Sequence, residues 1–229
     1  MAAPVLSIVM PVLDEGARIA GAIDALAPLL ARGAELIVVD GGSTDDTPAR
    51  ARAAGATVID APRSRAAQMN AGAAAARGGS LLFLHADTRL PAGADRLIAD
   101  ALGNHAWGRF DVRIEGRHPM LRVVAAMMNL RSRITGIATG DQSMFVTRLA
   151  FEQAGRFPQQ PLMEDIELSV RLRRIGRPAC LGATVATSGR RWERDGAWRT
   201  IVLMWRLRFD YWRGAAPADL HRRYYGPPR

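Results

Sequence analysis

The stretches LSIVMPVLDE (6–15), ELIVVDGGSTDDT (35–47) and SLLFLHADT (80–88) each join a short apolar run to acidic residues. Runs of this length that are rich in Val, Ile and Leu are typical of strands buried on both faces of a parallel sheet. A fourth such run is ATVID (56–60). Segments with a helical pattern separate the four runs, at 16–30, 44–55 and 64–78. This alternation predicts an α/β fold whose first half, residues 1–103, is a Rossmann-like parallel sheet with right-handed crossovers.

The pattern changes after Gly103. RFDVRIEG (109–116) alternates apolar and polar residues, which predicts a half-exposed antiparallel strand. The second half is expected to extend the sheet in a mixed arrangement and to end in an amphipathic helix, followed by a polar tail from Ala215. The further elements are predicted in the order helix, strand, short helix, helix, strand and amphipathic helix, at 120–134, 142–148, 149–155, 164–176, 178–187 and 198–214.

The composition excludes several classes of protein. Of 229 residues, 31 are basic and 22 acidic, which gives a net charge of +9, and all 31 basic residues are arginine. A Walker P-loop, a Schiff-base enzyme and a pyridoxal enzyme each need lysine, so all three are excluded. The single cysteine, Cys180, cannot form an intramolecular disulfide and fits a reducing compartment. The sequence shows neither an export signal nor an apolar run long enough to span a bilayer, so we expect a cytoplasmic protein.

Charged side chains follow the predicted strand ends. Ligands of open α/β sheets bind beyond the carboxyl ends of the strands. A mixed rim there suits a nucleotide diphosphate, because carboxylates accept hydrogen bonds from base or ribose, arginine neutralises phosphate and a carboxylate-held divalent cation bridges both phosphates. An ordinary polar loop explains any one of these residues, but their repetition favours a site. The rim residues are Asp14, Glu15, Asp40, Arg63, Arg65 and Asp87.

Six segments taken together resemble the successive signatures of family 2 glycosyltransferases, enzymes with the GT-A fold. These segments are PVLDE (11–15), VVDGGSTDDT (38–47), SRAAQMNAG (64–72), HADT (85–88), GDQSMF (140–145) and MEDIEL (163–168). The resemblance covers about the first 190 residues. At a finer level, FLHADT (83–88), GDQ (140–142) and RRW (190–192) resemble a bacterial subgroup associated with arsenosugar biosynthesis.

The resemblance implies a GT-A, Rossmann-like, mostly parallel sheet flanked by helices. It also implies an inverting, hexosyltransferase-like enzyme that moves a sugar from a nucleotide-diphosphate sugar, usually UDP-linked, to a hydroxyl acceptor by a metal-assisted single displacement. The implied cofactor is Mn²⁺ or Mg²⁺. We expect residues 1–190 to form the GT-A domain, with a nucleotide-binding half (1–103) and an acceptor half (104–190), and residues 191–229 to form a basic loop, the amphipathic helix and the tail.

Donor-binding residues are carried over from the resemblance by position. Pro11 and Glu15 would line the nucleoside pocket, Asp40 would hydrogen-bond the base, and Arg65 would lie near the base or the phosphates. HADT stands where the family carries its Asp-x-Asp metal motif, so Asp87 is the implied metal ligand. The chain departs from the family at His85, which replaces the first aspartate and is a ribose donor, a metal ligand or a packing residue. Two further residues, Gln68 and Asn70, would support the wall.

Acceptor-side residues follow from the same resemblance. Asp165 is the implied general base, with Glu164 orienting the acceptor beside it; both also suit the N-terminus of a helix, where the dipole favours negative charge. Asp141 and Gln142 would form part of the acceptor wall, or simply a loop before a strand.

The segment SGRRWERDG (188–196) falls where many relatives have a basic and aromatic loop that closes over the diphosphate. There Arg190 and Arg191 would clamp phosphate and Trp192 would stack on a sugar face, unless the loop is merely solvated.

Two other functions compete with an active enzyme. The replaced aspartate is compatible with a nucleotide-sugar-binding pseudoenzyme, and the charge of +9 with a nucleic-acid-binding module, although the basic residues are dispersed and no groove-reading motif is present.

The amphipathic helix is open to two interpretations as well. Its aromatic stripe predicts packing against the sheet or a second subunit, which is preferred, or a peripheral membrane contact through 198–213 at the inner face of the membrane. The residues of the stripe are Trp198, Val202, Trp205, Phe209 and Trp212.

Overall fold

The computed structural model describes residues 5–226, which form one eight-stranded sheet packed between helices. The strands are β1 (Leu6–Val12), β2 (Glu35–Asp40), β3 (Thr57–Asp60), β4 (Ser80–Phe83), β5 (Thr88–Arg89), β6 (Trp107–Glu115), β7 (Phe145–Thr147) and β8 (Ala179–Ser188). The helices are α1 (Ile19–Asp24), α2 (Ala27–Leu30), α3 (Thr47–Ala53), α4 (Arg65–Ala75), α5 (Ala94–Leu102), α6 (Met120–Thr135), α7 (Arg148–Gln153), α8 (Glu164–Ile175), α9 (Arg190–Asp195), α10 (Ala197–Trp212) and α11 (Pro217–Tyr225).

The strand order is β3-β2-β1-β4-β7-β6-β8-β5. The first four strands pair in parallel, as strand–helix alternation predicts, whereas β7 runs antiparallel to both β4 and β6. Beyond β7, β6 and β8 are parallel to each other, and β5 is an antiparallel edge strand beside β8. The predicted α/β fold, with a parallel first half and a mixed second half, is confirmed.

Alternate residues of the central strands bury themselves in two separate cores. In β1, Ile8 and Met10 pack with α1, α3 and α5 on one face of the sheet, and Val9 packs with α4, α7 and α8 on the other. None of these three side chains is exposed to solvent. Because helices cover both faces, the edge at the carboxyl ends of the parallel strands is left open for a ligand.

Strand β4 is shorter than the predicted run at 80–87. Leu84 makes the last backbone bond towards β1, to the Val9 oxygen at 3.0 Å, and the chain then turns, with the Thr88 N–H bonded to the His85 oxygen at 3.0 Å. The turn lifts His85 and Asp87 out of the sheet and leaves their side chains at its open edge.

Strand β6 shows the half-exposed alternation expected at 109–116, because Phe110, Val112 and Ile114 are buried and the polar residues between them are not, but over these residues it pairs in parallel with β8 and not antiparallel as expected. It lies inside the sheet, antiparallel to β7 and parallel to β8, and it is fully buried from Trp107 to Phe110. Arg109 is also buried, and its guanidinium donates to Ser132 Oγ at 3.0 Å and pairs with Asp111. Arg109 is thus polar but buried, because an ion pair and a hydroxyl group satisfy its guanidinium inside the protein.

The C-terminal segment is more helical than the sequence predicted. Most of the basic loop expected at 188–196 is helix α9, and the expected tail contains helix α11. Pro217 begins α11, a position that suits proline because the first N–H groups of a helix have no partner within the helix. Leu220 of α11 packs with Leu207 of α10 and with Met163. This third core cluster fastens α11 beside the start of α8.

Helix α10 has two apolar faces, and only one of them is packed. Leu207 is fully buried, whereas Trp198, Trp205 and Trp212 are 64%, 69% and 81% exposed. The preferred interpretation that the aromatic stripe packs against the sheet is therefore wrong, and a second subunit or a membrane surface stays a prediction. Within residues 5–226, no helix combines the length and mean hydropathy needed to cross a bilayer.

Candidate active site

Arg190 at the start of α9 connects two acidic residues of the predicted rim. Its Nη2 lies 3.5 Å from Asp87 Oδ2 and 4.0 Å from Glu15 Oε1. These residues come from the ends of β1 and β4 and from the segment after β8. The structure thus places a guanidinium among the carboxylates where a diphosphate and a cation are expected.

The loop after β1 is held by the loop after β2. Asp14 has a positive φ of 53° and accepts the Thr44 N–H at 2.7 Å, while the Glu15 N–H donates to Thr47 Oγ1 at 2.8 Å. Gly16 donates its N–H to Asp45 Oδ2 at 3.0 Å, and a Cβ there would lie 2.3 Å from Asp46 Oδ1, so a larger residue would push these carboxylates aside. The two loops therefore fix the position of Glu15 at the rim.

Asp40 mainly shapes its own loop. It is 4% exposed, and its Oδ2 accepts the N–H groups of Gly42 and Ser43 at 3.0 and 2.9 Å. The Ser43 hydroxyl donates to Oδ1. Since a carboxylate oxygen has two acceptor sites, Oδ1 keeps one for the predicted contact with a base.

Two side chains of α4 support the site from behind. Gln68 Nε2 donates to the Val12 and Val39 oxygens, both at 2.9 Å, and so holds the ends of β1 and β2 together. Asn70 exchanges two hydrogen bonds with the Phe157 backbone, at 2.8 and 3.1 Å. Both residues are positioning residues behind the predicted wall.

A narrow cleft opens between the start of α4, the end of β4 and the start of α8. Arg65 stands on one side, and Glu164 and Asp165 on the other. The lining is Pro11, Arg65, Met69, Phe83, Leu84, His85, Gly140, Met144, Phe157, Glu164 and Asp165. The structure therefore brings predicted donor residues and the predicted base into one cleft.

The carboxyl group of Asp165 is held by two backbone N–H groups. Gly140 donates to Oδ2 at 2.8 Å and Ile166 donates to Oδ1 at 2.7 Å. Burial raises the pKa of Asp165 above its usual value, although these N–H groups and nearby arginines oppose the rise. A carboxylate with a raised pKa is a stronger base than an ordinary aspartate.

Glu164 lies beside Asp165 and is 6% exposed. Burial, and then the neighbouring Asp165 charge, raise the pKa of Glu164 to about 7. Because the two carboxyls repel each other, the pair holds part of a proton near neutral pH. Such a pair in a cleft is typical of acid–base chemistry, and a helix cap alone does not require it.

His85 and Asp141 have shifted pKa values in opposite senses. Burial, with Arg65 adding to it, lowers the pKa of His85 to about 4, so its imidazole is neutral at pH 7. Loss of hydration around the carboxyl raises the pKa of Asp141 to about 6, although the residue is exposed at its outer side. The charges of Asp87 and Asp165 add to this rise, and the Arg65 charge opposes it. Gly140 permits the approach of His85, since a Cβ there would lie 2.5 Å from His85 Nε2.

Gln142 does not face the cleft. It is completely buried, and its Oε1 accepts the Thr139 N–H at 3.2 Å. Its Nε2 points to Asn129 Oδ1 at 3.4 Å. Its amide is thus used within the turn at Gly140–Gln142, and we correct its role from a contact with the acceptor to the shaping of that turn.

Arg191 and Trp192 also differ from the expected clamp. The Arg191 guanidinium lies 3.6 Å from the centre of the Tyr224 ring and donates to the Tyr224 oxygen at 3.1 Å. Trp192 packs against the core. Of the three residues, only Arg190 reaches the acidic rim, because α9 turns the others towards α11 and the core.

Asp87 and His85 supply only part of the ligand set that a divalent cation requires. Within the described part of the chain, no three His, Cys, Asp or Glu side chains form a ready-made metal site. One carboxylate with a neutral imidazole two residues away still suits Mg²⁺ or Mn²⁺, because Mg²⁺ is often held by one or two carboxylates, substrate phosphates and water. Asp87, with His85 beside it, therefore fits a cation that arrives with a diphosphate.

Sequence reasoning missed Arg131 and Tyr224 near this site. Two guanidinium atoms of Arg131 are buried without a partner, and Tyr224 holds Arg191. Arginine in a helix at 120–134 gives no signal of this kind, and Tyr224 lies in the segment expected to be an irregular tail.

Comparison with known proteins identifies the family. The model of the family described as "Glycosyl transferase family 2" matches residues 7–148, more than half of the 229-residue chain. Glucosyl-3-phosphoglycerate synthase of Mycolicibacterium paratuberculosis is 53% identical over 55 residues, which cover 24% of this chain and 17% of that protein. The synthase of Mycobacterium tuberculosis (strain ATCC 25618 / H37Rv) is 51% identical over 55 residues, with the same coverage of 24% and 17%. Each alignment thus spans a small part of the relative's length.

Solved structures of the M. tuberculosis synthase share the fold. The complex with Mn²⁺ and UDP-glucose gives a TM-score of 0.58 at 22% identity and covers 80% of this chain and 70% of that one. The complex with Mn²⁺, UDP and phosphoglyceric acid gives 0.58 at 22% identity, with 80% and 69% covered. At this identity the likeness establishes the GT-A-like fold. The family match shows that the chain belongs to glycosyl transferase family 2.

Proposed function

We propose that this chain transfers a sugar from a nucleotide-diphosphate sugar, UDP-linked, to a hydroxyl acceptor. The observation that carries the proposal is the position of Asp165 and Glu164 in one cleft with Arg65 and His85, near the Asp87–Arg190 rim. Base and donor groups must face one point for a single displacement, and these residues surround one.

On the donor side, Asp87 would hold Mg²⁺ or Mn²⁺ together with diphosphate oxygens. The cation would neutralise the negative charge that grows on the leaving diphosphate. Arg190 already contacts Asp87 and would turn to the phosphates once a cation takes its place beside that carboxylate. The related synthase, which binds UDP with Mn²⁺ or with Mg²⁺ in its complexes, supports this arrangement.

On the acceptor side, Asp165 would accept the proton of the attacking hydroxyl. The acceptor oxygen bonds to the anomeric carbon as the bond from that carbon to the diphosphate oxygen breaks, which inverts the configuration. Gly140 and Ile166 hold the Asp165 oxygens and so aim the base. Burial keeps the basicity of Asp165 high, and the ionised Asp165 in turn raises the pKa of Glu164 beside it.

The finer placement in the arsenosugar-associated subgroup is also part of the proposal. Its support is the combination of FLHADT (83–88), GDQ (140–142) and RRW (190–192). The structure adds that Arg190 and the turn at 140–142 both lie at the site.

We further propose that a peripheral membrane contact at the inner, cytoplasmic face brings the enzyme to its acceptor. Helix α6, which contacts α10, carries a second exposed apolar stripe. The α6 stripe is Val123, Met127, Leu130 and Ile134, which are 54%, 54%, 51% and 69% exposed. Exposed Arg199, Arg206 and Arg213 flank the aromatic stripe of α10, and aromatic residues with arginines suit an anionic headgroup layer. A homodimer that buries both stripes is the competing outcome.

A panel of nucleotide sugars separates these functions. The purified chain is titrated with each one, with and without Mg²⁺, and release of the nucleoside diphosphate is then followed with candidate acceptors. Metal-dependent binding with turnover supports the proposal. A pseudoenzyme would bind the nucleotide sugar but transfer the sugar to none of the acceptors. In that case Asp165→Asn would also leave any slow hydrolysis of the donor unchanged. A preference for nucleic acid over UDP would favour the nucleic-acid-binding module.

A further inference from the structure

Arg131 of α6 carries a buried charge without a partner. Within residues 5–226, its Nε and Nη2 are shielded from solvent and form no hydrogen bond. The residue as a whole keeps partial solvent access. These two atoms form the edge of a guanidinium that binds a carboxylate or a phosphate with two parallel hydrogen bonds.

An unpaired buried guanidinium is costly for a fold. Burial of a charge without a counter-ion destabilises a protein by several kcal/mol in typical cases, so buried arginines are normally paired. The nearby Arg109 follows that rule, because it pairs with Asp111 and donates to Ser132. Arg131 does not, and burial together with the Arg109 charge lowers its pKa to about 10 despite the nearby Asp165.

The charge of Arg131 lies within electrostatic reach of the proposed base. The Arg131 charge acts on Asp165, yet no ion pair joins the two side chains within 4.0 Å in the described part of the chain. A further unpartnered buried polar atom is the Oγ of Ser143, whose backbone N–H closes the turn by donating to the Gly140 oxygen at 3.1 Å. The turn that holds the proposed base therefore carries one unsatisfied buried group, and Arg131 close to the base carries two more.

We propose that Arg131 binds an anionic group of the acceptor, a carboxylate or a phosphate, and so presents the neighbouring acceptor hydroxyl to Asp165. The inference rests on the proposed function, since it assigns a substrate class to the same site. The anionic group takes no part in the bond changes. It replaces the missing counter-ion of Arg131 once the side chain turns its shielded Nε–Nη2 edge towards the cleft, and its charge near Asp165 makes that carboxylate a stronger base.

The test uses the whole chain with UDP and Mg²⁺ at saturation, so that the diphosphate site is filled. Inorganic phosphate and then phosphoglyceric acid are titrated while binding and the melting temperature are measured. The variants are Arg131→Met, Arg131→Lys and, as a matched control on the same helix, Arg122→Met, because Arg122 is exposed. Affinity for UDP is measured for all of them.

We expect the anions to raise the melting temperature of the parent and of Arg122→Met but not of Arg131→Met. Without anions, Arg131→Met should melt at the same temperature as the parent or higher, because it removes an unpaired buried charge. Its affinity for the anions should fall at least about tenfold, with Arg131→Lys intermediate. UDP affinity should be unchanged throughout.

Three results would overturn the inference. One is equal anion binding by the parent and Arg131→Met, and another is a parent that shows no effect of either anion. The third is a lower melting temperature of Arg131→Met without anions, which would make Arg131 structural. If the parent fails to bind UDP, the proposed function fails; the titration is then repeated without nucleotide, and the comparison of parent and Arg131→Met still decides the anion site.

Discussion

Gly140 donates its backbone N–H to Asp165 Oδ2 at 2.8 Å, and the same glycine leaves room for the His85 ring. One residue of the turn before β7 thus contacts both the proposed base and the histidine beside the proposed metal ligand. A side chain at this position would disturb both. The arrangement ties the geometry of the acceptor side to that of the donor side.

Replacing the base should separate chemistry from binding. Asp165→Asn keeps an oxygen that can accept the Gly140 N–H, so UDP affinity should stay within about threefold while transfer falls about 10²-fold or more. Calorimetry and single-turnover transfer measure the two effects. Normal turnover of this variant would move the role of base to Asp141 or Glu164.

Gly140 itself offers a steric test. Gly140→Ala would place a Cβ 2.5 Å from His85 Nε2, so we expect His85 to shift and transfer to fall about tenfold or more. Gly79→Ala is the control, because Gly79 is exposed and a Cβ there would meet no other atom within 4 Å. Equal activity of the two variants in the transfer assay would show that the contact between Gly140 and His85 is not needed.

The carboxylate pair predicts a pH dependence of activity. Asp165 must be ionised to accept a proton, and its pKa is raised, so transfer should be lost as the pH falls through that raised pKa, above the usual range of an aspartate. Glu164, with a pKa of about 7, is already protonated where Asp165 titrates below it, so Glu164→Gln should leave this acid limb in place. Rate profiles from pH 4 to pH 9 for the parent and the variant compare the two limbs; a limb that moves to lower pH in the variant would show that the Glu164 charge raises the pKa of Asp165.

The same pair predicts a pH dependence of stability. The pKa of Glu164 rises from 4.5 to about 7 on folding, so the folded protein favours the protonated carboxyl. The stabilisation of the fold that results is fully present below pH 4.5 and is lost as the pH rises through about 7. Glu164→Gln should therefore melt higher than the parent at pH 8, by about 2–4 °C per kcal/mol of repulsion relieved, with little gain at pH 4.5. Thermal unfolding at both pH values is the measurement. A variant less stable than the parent at pH 8 would mean that the Glu164 charge stabilises the fold.

Removal of Asp87 should abolish the effect of metal on donor binding. We expect Mg²⁺ to strengthen UDP binding to the parent by about tenfold, about 1.4 kcal/mol, and to have no effect on Asp87→Ala. Asp219→Ala is the control, since Asp219 is an exposed residue of α11 paired with Arg222. Calorimetry with and without chelator reports both. A metal effect that survives in Asp87→Ala would require another ligand.

The exposed stripes predict binding to anionic vesicles. The parent should sediment with anionic but not neutral vesicles, and salt should weaken the binding, because each arginine near the surface adds about 1 kcal/mol. The double variant Trp205→Ser with Phe209→Ser should lose binding and stay folded, since both side chains are more than half exposed. Leu149→Ser, 68% exposed on α7, is the matched control. A parent that ignores vesicles but dimerises through these residues would replace the membrane with a second copy.

The sequence by itself determined the parallel half of the sheet and the carboxylates at its open edge. The pattern of apolar residues is a local signal, because buried side chains recur every two residues in a strand and about every 3.6 residues in a helix as a direct result of backbone geometry. It therefore predicted β1, β2 and α8 closely. The same signal overestimated β4, because Leu84 continues the apolar run while His85 to Thr88 close a turn.

Tertiary structure decided which charged groups meet. Arg190 reaches Asp87 across more than one hundred residues, and Arg191, its neighbour in sequence, binds Tyr224 instead. Neither outcome follows from spacing, because a helical turn directs adjacent side chains to different faces. The unpaired edge of Arg131 has the same origin: no sequence pattern records the absence of a partner, and only the packed molecule shows which buried charge is left for a ligand.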